Sequence, residues 1–537
     1  MSATSGADGI SAQPDGVAPD PAARRRGWWS RAVLYPFLFA TFPIVFLVAT
    51  NDSDRIPTME VVVSLAIALA VTGVVFALNW AVFRDPHTAG FLTSALVLLF
   101  FTFGHVRMAA DPYGAHGAAD GLFWSYVLLA VVFVLVTIRF RNRFARLTPG
   151  LNLIAGVLVL INLAPIVTSG AANAQGSGGA VGEDVTLRAP ANERDVYYII
   201  FDRYADELTL KDDYAFDNTP FLDQLGDRGF DVVTDAVGNY PRTSHSLASS
   251  LNMSFLDDLV AEEGPDSDDW PRLQSNLQDF RVSRALQAIG YRYEHIGSWW
   301  GPTREDPTAD DNFVYGGREF PTILLDTTIW GELGARLGFT HPLTMGEEQY
   351  RRIAYQYDSL LQIAERPAPT FTFAHFTLPH PPYVIDANGD FLPPEEVVAD
   401  PDAAYVGQVE YANHLMLELS DSLLAGPDET DPIVVFQSDE GPHPFRLTQN
   451  EQDFDWTQAT DAELGMKMRI LDAVYLPGEG SDADLGSFTP VNTFRIIFNR
   501  YFGADLPLLP DRTWVFQDGS HPYRLTEITD HLAQLQT

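Results

Sequence analysis

Long runs of apolar residues fill the first third of the chain. Five of them have about 20 residues, the length that a helix needs to cross the hydrocarbon core of a bilayer. They cover residues 32–50, 59–83, 89–106, 121–138 and 150–170. Three consecutive arginines precede the first run, and four more lie between the fourth and the fifth. Because arginine favours the cytoplasmic side, the pattern predicts about five transmembrane helices, a cytoplasmic N-terminus, and an extracytoplasmic location for everything after residue 170.

A different pattern begins after the last of these runs. Residues 171–194 are rich in Gly, Ala and Ser, which is typical of a flexible linker. Short, nearly continuous apolar runs then alternate with amphipathic helical patterns. The runs cover residues 195–202, 370–376, 431–439 and 469–477. Such runs are typical of strands buried on both faces, so we expect an α/β domain with a doubly wound, mostly parallel sheet and helices on both faces.

The chain therefore divides into four predicted regions. They are a disordered cytoplasmic tail (1–30), a transmembrane region (31–170), a flexible linker (171–194) and one sizeable soluble domain (195–537).

Composition narrows the chemistry of the soluble domain. The chain has no cysteine, which excludes disulfides, thiolate metal sites and cysteine nucleophiles. Its formal charge of −37 comes from 34 basic and 71 acidic residues. Such a balance excludes nucleic acid as a natural partner. Since this surface repels itself unless counterions screen it, we also hypothesise a halophilic, high-salt setting.

Candidate site residues cluster where the predicted strands end. Asp202 ends the first strand, His375 and His380 lie in "FAHFTLPHPPY", and Asp439 and Glu440 follow "IVVFQS". In doubly wound sheets, ligands bind at the carboxyl ends of the strands. Three carboxylates that converge there would repel one another, so a hard divalent cation is expected between them.

The segment "NYPRTSHSLASSLN" supplies a candidate nucleophile. Thr243 follows a turn that contains Pro241 and is predicted to lie in the first turn of a helix. Free backbone N–H groups at such a helix start attract an anion, for example a phosphate or sulfate ester. A simple helix cap is the alternative role for Thr243, and Ser244 is the alternative nucleophile.

These motifs together carry a family resemblance. The strand-end Asp202, "YPRTSHSLASSLN", "FAHFTLPHPPYV", "QSDEGP" and the late segment "VNTFRIIFNRYFGADLPLLPD" resemble the sulfatase-like hydrolase/transferase branch of the alkaline phosphatase superfamily. The resemblance covers roughly residues 195–537. Membrane helices before an external catalytic domain make the chain similar in plan to lipoteichoic acid synthases and phosphoethanolamine transferases.

The resemblance implies a metal site and its ligands. The positions that match the family's ligands are Asp202, Thr243, Asp439 and Glu440, of which Glu440 stands where the family has histidine. A carboxylate there favours manganese, magnesium or calcium over zinc. Arg203 replaces a further acidic residue of many relatives, so one divalent ion is expected rather than two. Glu440 also leaves open a weakened or lost catalytic activity.

The resemblance further implies a covalent mechanism. Thr243 is the expected nucleophile on a phosphorus or sulfur centre, and His380 and His443 are candidates to contact the ester or protonate the leaving group. Candidate substrate-binding residues are Arg242, Ser244 and His375, of which His375 has the alternative of being only packed in its strand. We expect His245 and His521 to be structural. Sulfatases convert a Cys or Ser to formylglycine, and "YPRTSHS" does not fit that motif.

Three functional hypotheses follow from these features. The first is a metal-dependent hydrolase or transferase that acts on phosphoester groups at the outer face of the plasma membrane, with membrane lipids or cell-surface glycans as substrates. The second is a degenerate, non-catalytic relative that binds envelope lipids or glycans. The third is a sulfuric ester hydrolase.

Overall fold

The structure is a computed structural model. It describes residues 32–50, 58–110, 118–141, 143–173, 185–233, 235–316, 319–337, 345–366, 369–427, 430–478 and 488–535. The predicted tail (1–30), with the three arginines that precede the first apolar run, lies outside the described residues.

The apolar runs of the first third form helices. Their bounds are α1 Tyr35–Thr50, α2 Thr58–Phe83, α3 Pro86–Ala110, α4 Ala118–Phe140 and α5 Thr148–Asn173, with a short 3₁₀ turn at Phe144–Arg146. Among the described residues, α2, α3 and the segment Asp120–Phe140 of α4 are long and apolar enough to cross a membrane. Helix α1 and the described apolar part of α5, Thr148–Ala164, are shorter. Three membrane-spanning helices are therefore supported by length and composition, against five predicted.

The predicted linker starts inside a helix. Helix α5 continues to Asn173, three residues into the predicted range 171–194. The residues from 174 to 184 lie outside the described part of the chain, and the chain from 185 leads directly into the first strand.

A seven-stranded sheet forms the centre of the soluble domain. Its strands are β1 Val196–Phe201, β2 Asp231–Val232, β3 Arg292–Ile296, β4 Asp311–Phe313, β5 Thr370–Phe376, β6 Ile433–Gln437 and β7 Asp472–Tyr475. They lie side by side in the order β2-β7-β6-β1-β5-β3-β4. Strands β6, β1, β5, β3 and β4 are parallel, whereas β7 pairs antiparallel with both β6 and β2. The prediction of a mostly parallel α/β sheet is therefore confirmed.

The central strand β1 is buried on both of its faces. Val196, Tyr198 and Ile200 belong to one hydrophobic core, and Tyr197 and Phe201 belong to the other. Because successive side chains of a strand point to opposite faces, a strand without a polar face implies helices on both sides of the sheet.

Helices and a small hairpin cover the sheet. The helices are α6 Glu207–Tyr214, α7 Thr219–Asp227, α8 Thr243–Asn252, α9 Asp257–Glu263, α10 Trp270–Gln274, α11 Arg281–Ala288, α12 Gly301–Arg304, α13 Glu319–Asp326, α14 Trp330–Leu337, α15 Met345–Ala364, α16 Pro394–Ala399, α17 Pro401–Leu423, α18 Phe445–Gln449, α19 Asp461–Met468, α20 Thr493–Tyr501 and α21 Thr529–Leu535. Strands β8 Trp514–Phe516 and β9 Leu525–Glu527 form a separate antiparallel pair. Short 3₁₀ turns lie at Ser275–Leu277, Trp456–Gln458 and Pro490–Asn492.

Candidate active site

The carboxyl edge of the sheet brings three side chains together. Asp202 directly follows β1, His375 lies near the end of β5 beside Ile200 of β1, and Asp439 follows β6 after one residue. Since β5, β1 and β6 are adjacent and parallel, their carboxyl ends meet at the same edge. All three side chains are buried.

These three residues form a candidate metal centre. One possible ligand atom from each of Asp202, His375 and Asp439 lies within 4.8 Å of the others, and Nε2 of His375 is 3.4 Å from Oδ2 of Asp202. Oδ1 of Asp202, Nε2 of His375 and both carboxylate oxygens of Asp439 are buried without a hydrogen-bond partner. Buried polar atoms are normally paired, so a convergent unpaired set fits a bound cation. Two carboxylates and one imidazole suit manganese, magnesium or zinc.

The two carboxylates of this centre have opposite pKa shifts. Burial, and then the charges of Asp202 and Glu440, raise the pKa of Asp439 well above its ordinary value. Burial also acts to raise the pKa of Asp202, but His380, His375 and Arg203 outweigh it and lower that pKa. Two carboxylates that share a buried site cannot both ionise easily unless a cation lies between them.

The hydroxyl groups of Thr303 and Ser298 fix the orientation of the His375 ring. Oγ1 of Thr303 lies 2.7 Å from Nδ1 of His375, and Oγ of Ser298 lies 2.8 Å from the same hydroxyl. The backbone carbonyl of His375 accepts a hydrogen bond of 2.7 Å from the Gln356 amide. With Nδ1 engaged by Thr303, Nε2 is the nitrogen that faces the centre, which is how a metal-binding histidine is usually oriented.

Glu440 lies next to this centre but is bound by the chain's own cations. Its Oε1 accepts hydrogen bonds from Nζ of Lys467 at 2.8 Å and Nε of Arg203 at 3.1 Å. Lys467 is fully buried and also donates to the carbonyl oxygen of Gly441 at 2.9 Å. A Cβ on Gly441 would lie 2.1 Å from the carbonyl oxygen of Met466, so only glycine permits this close approach. The carboxylate of Glu440 is therefore neutralised from within the protein.

The pKa of Glu440 agrees with that ion pairing, whereas the pKa of Lys467 is dominated by its burial. Burial acts to raise the pKa of Glu440, but Lys467, His443 and Arg203 outweigh it and hold the pKa well below its ordinary value. Burial lowers the pKa of Lys467 to about 7, and Glu440 opposes this shift.

A strained turn after β1 positions Arg203. Its φ is +63°, a left-handed conformation that costs a non-glycine residue about 1 kcal/mol. The carbonyl oxygen of Arg203 accepts from the hydroxyl of Tyr405 at 2.9 Å. The next amide, that of Tyr204, donates to Oγ of Ser438, which donates to the carbonyl oxygen of Glu440. This network fixes the two carboxyl-edge turns against each other.

Two histidines lie around the carboxylates. Nε2 of His443 is 3.4 Å from Oε1 of Glu440, and burial, Arg203 and Lys467 lower the pKa of His443 well below its ordinary value. Burial and Arg203 lower the pKa of His380 to about 4, although Asp202 opposes this shift. Both rings are therefore neutral at pH 7.

Thr243 is the first residue of α8, with Arg242 at the N-cap. Its hydroxyl lies close enough to Asp439 to lower the pKa of that carboxyl group, although the pair does not meet the geometry of a full hydrogen bond. Arg242 forms an ion pair with Glu451, and its guanidinium carbon lies 5.5 Å from the ring centroid of Trp270. The Arg242 side chain therefore lies between Trp270 of α10 and Glu451, which follows α18.

The candidate metal centre does not include Ser244, His245 or His521. Ser244 is buried within α8. His245 lies in an aromatic stack 4.7 Å from the Phe516 ring, with Nε2 2.8 Å from the carbonyl oxygen of Pro522. Nδ1 of His521 lies 2.7 Å from Oδ1 of Asp518.

Some residues of this site had no assigned role in the sequence-based prediction. Lys467 and Thr303 were absent from it, and His375 was expected to bind substrate rather than a metal. The sequence contains one indication that Lys467 has a special role. It is one of only two lysines in the chain and lies in an otherwise amphipathic helix. Thr303 offered no signal, since its contact with His375 depends on how two distant segments pack.

A mostly parallel sheet with carboxylates and an imidazole gathered at its carboxyl edge defines an α/β protein with a candidate metal centre. The sequence model of the sulfatase family matches residues 194–483, which is more than half of the chain. The chain belongs to the sulfatase family and is thereby a sulfatase-like hydrolase or transferase. The match contains Asp202, Thr243, His375 and Asp439.

Solved structures that are similar to the chain include two bacterial proteins. One is the C-terminal periplasmic domain of EcEptC from Escherichia coli, with 13% identity, 65% of this chain and 97% of that chain covered, and a TM-score of 0.41. The other is the integral membrane lipooligosaccharide phosphoethanolamine transferase A from Neisseria meningitidis, with 13% identity, coverage of 88% and 94%, and a TM-score of 0.41. No curated protein sequence matches the chain.

Proposed function

We propose that this protein is a metal-dependent hydrolase or transferase that acts on phosphoester groups at the outer face of the membrane, with Thr243 as nucleophile. One observation carries the proposal. The buried, unpaired ligand atoms of Asp202, His375 and Asp439 converge beside the start of the helix that Thr243 begins. Membrane lipids or cell-surface glycans are the proposed substrates, because apolar helices precede the catalytic domain.

The residues of the centre fit a divalent metal ion. Asp202, His375 and Asp439 would hold it, and Thr243 lies beside Asp439. When bound, such an ion lowers the pKa of a nearby hydroxyl and stabilises negative charge on an ester oxygen. We propose a single ion of manganese, magnesium or zinc, because calcium prefers an all-oxygen ligand set and His375 supplies a nitrogen. Glu440 is a further candidate ligand, because Lys467 and Arg203 bind only its Oε1 and its Oε2 is buried without a hydrogen-bond partner.

The chain's own residues carry the chemical steps. Oγ1 of Thr243 forms a bond to the phosphorus centre, and the bond from phosphorus to the leaving oxygen breaks. The Oγ1 proton of Thr243 passes to the unprotonated ring nitrogen of His380 or His443, both of which lie beside the carboxylates and are neutral at pH 7. The imidazolium formed in this way then gives that proton to the leaving oxygen. Water or an acceptor hydroxyl then attacks the phosphothreonine ester and regenerates the Thr243 hydroxyl.

The test is turnover by the full-length protein in detergent and molar salt. Chromogenic phosphodiester, phosphomonoester and sulfate ester substrates are assayed with and without added manganese, for the wild type, Thr243→Ala and Ser244→Ala. We expect metal-dependent turnover that Thr243→Ala abolishes and Ser244→Ala retains. Turnover that survives in Thr243→Ala would contradict Thr243 as nucleophile, and a preference for the sulfate ester would assign a sulfuric ester hydrolase.

One observation favours a second candidate function, that of a non-catalytic binder. Oε1 of Glu440 is held in an internal ion pair with Lys467 and Arg203, which offsets the charge of a potential metal ligand. A protein of this kind would bind a divalent ion and an ester without turnover. Equal inactivity of the wild type and Thr243→Ala, together with metal binding by both, is the result that this candidate predicts.

A further inference from the structure

Two short helices of the catalytic domain pack into the membrane helices. They are α13 and α14, which with their connecting turn form a helical hairpin over residues 319–337, between β4 and α15. Phe320 and Leu324 of α13 belong to the same core as residues of α1 and α3. Leu333 of α14 packs against the cluster that contains Phe103 of α3 and Phe123 of α4. The hairpin is therefore part of the helix bundle as well as of the catalytic domain.

The turn of the hairpin bonds to the backbone of α3. The amide of Gly104 donates to the carbonyl oxygen of Thr327 at 2.9 Å, and the amide of Ile329 donates to the carbonyl oxygen of Phe100 at 3.0 Å. A Cβ on Gly104 would lie 2.1 Å from the carbonyl oxygen of Asp326, so this contact requires glycine. Polar backbone groups at membrane depth need internal partners, and the turn obtains them from the helix.

The depth of this contact follows from helix geometry. Gly104 lies six residues before the end of α3 at Ala110, which is about 9 Å along the axis at about 1.5 Å per residue. The 25 residues of α3 span about 37 Å, against a hydrocarbon core of about 30 Å. If the excess is shared between its two ends, the turn lies about 5 Å inside the hydrocarbon boundary.

The end of α14 has the composition of a membrane interface. Arg336 forms an ion pair with Asp120 at the start of the spanning part of α4, and its guanidinium carbon lies 4.3 Å from the ring centroid of Phe123. Arginine at such a position keeps its charge near the headgroups while its stem covers apolar surface. The membrane contact therefore continues along both helices of the hairpin.

The outward side of the hairpin carries exposed apolar residues. Leu325 is 39% exposed, Trp330 40% and Leu337 59%. We propose that the hairpin is inserted into the outer leaflet of the bilayer and that these three side chains contact lipid. Lipid is the expected contact because the turn of the same hairpin bonds to α3 and its helices pack against α3, which is apolar and long enough to span the membrane. Tryptophan at a membrane interface and an amphipathic helix with one apolar face are both typical of such insertion.

The insertion orients the catalytic domain. The hairpin follows the carboxyl end of β4, the neighbour of β3, and the loop after β3 carries Thr303 to His375. The edge of the sheet that holds the candidate metal centre is thus the edge that the hairpin draws towards the bilayer.

The absence of cysteine makes a site-specific test direct. Single cysteines replace Leu325, Trp330 or Leu337 in the full-length protein, which is labelled with the fluorophore NBD and reconstituted into phosphatidylcholine vesicles. Ser422→Cys is the matched control, because Ser422 is exposed near the end of α17, which leads to the amino end of β6 and so to the opposite edge of the sheet.

Two quenchers, doxyl-labelled lipid and aqueous iodide, distinguish a probe that lies in lipid from a probe that lies in water. We expect the three hairpin probes to be quenched by doxyl-labelled lipid and protected several-fold from aqueous iodide relative to the Ser422 probe. Iodide quenching of the hairpin probes equal to that of the Ser422 probe, without quenching by doxyl lipid, would overturn the proposal. The result does not depend on turnover, so it is independent of the proposed catalytic function.

Discussion

The buried ion pair between Lys467 and Glu440 lies next to the candidate metal centre. It is the clearest case in which a single residue, Lys467, decides local stability. Lys467 is fully buried, and its ammonium group contacts Glu440. A buried ion pair adds little net stability, but removal of one partner leaves an uncompensated buried charge. Among the described residues, Arg203 would then be the one cationic side chain still bonded to that carboxylate.

We therefore predict that Lys467→Met destabilises the catalytic domain by about 2–4 kcal/mol. The measurement is the thermal unfolding midpoint in detergent. Lys211→Met is the matched control, because Lys211 is the other lysine of the chain and is exposed. The double variant Lys467→Met/Glu440→Met should recover most of the loss. A midpoint for Lys467→Met equal to that of Lys211→Met would contradict the role of the ion pair.

A second buried acid gives the protein a pH dependence. Asp472 of β7 accepts a hydrogen bond from the Gln437 amide at 2.8 Å, while its Oδ1 has no hydrogen-bond partner. Burial raises its pKa from 3.8 to about 7, although Gln437 opposes the shift. The folded protein therefore binds more protons than the unfolded chain between about pH 4 and pH 7, and its stability falls as the pH rises through that range.

The variant Asp472→Asn removes this proton and should change the pH profile. Relative to the wild type, we expect the variant to gain up to about 4 kcal/mol of stability between pH 4 and pH 8, since each pKa unit corresponds to about 1.4 kcal/mol. Thermal unfolding at the two pH values measures the difference. The exposed Asp505→Asn serves as the control. A constant difference between wild type and Asp472→Asn across the range would contradict this account.

For single residues, the sequence predicted the buried acids of the site better than it predicted the side chains that contact the site. Asp202 and Asp439 follow apolar runs directly, so their position at strand ends could be predicted from the local pattern. The contacts of Lys467 with Glu440 and of Thr303 with His375 join segments that are far apart in sequence. No local pattern encodes those contacts, because they depend on the packing of the finished sheet.

At the level of elements, strands inside nearly continuous apolar runs were predictable, and strands outside such runs were not. Strand β5 coincides with the predicted run at 370–376, and β1, β6 and β7 lie inside predicted runs. Strand β3 was not predicted, because it contains Glu294 and His295, which are buried and paired by their neighbours. The hairpin of α13 and α14 was not predicted either, since its helices are short and depend on the membrane helices for their packing.

The contact between the hairpin and α3 yields a prediction at this scale. Gly104→Ala places a methyl group against the backbone of the hairpin turn. Gly156→Ala is the control, because a Cβ at that position of α5 meets no atom within 4 Å. We expect Gly104→Ala to lower the unfolding midpoint of the full-length protein. Gly156→Ala should leave it unchanged or stabilise it by up to about 1 kcal/mol through helix propensity. Equal midpoints for the two variants would argue against the close contact.

For the whole molecule, the strongest property is its net charge of −37. Charges of one sign repel across the surface, and the screening length shrinks from about 10 Å at 0.1 M salt to about 3 Å at 1 M. We predict that the unfolding midpoint of the full-length protein rises as sodium chloride increases from 0.1 M to about 2 M. Potassium chloride as a second salt separates screening from the binding of one particular ion. A midpoint that is highest in dilute buffer would contradict the high-salt hypothesis.

The metal centre at the carboxyl edge of the sheet is tested most directly by calorimetry, in which manganese is titrated into the full-length protein. Molar salt suppresses weak binding to the acidic surface. We expect one ion per chain, with binding weakened by at least about 100-fold in Asp202→Asn and in Asp439→Asn. The exposed control Asp505→Asn should bind as the wild type does. No binding to the wild type, or wild-type binding by Asp439→Asn, would contradict a metal centre at the carboxyl edge of the sheet.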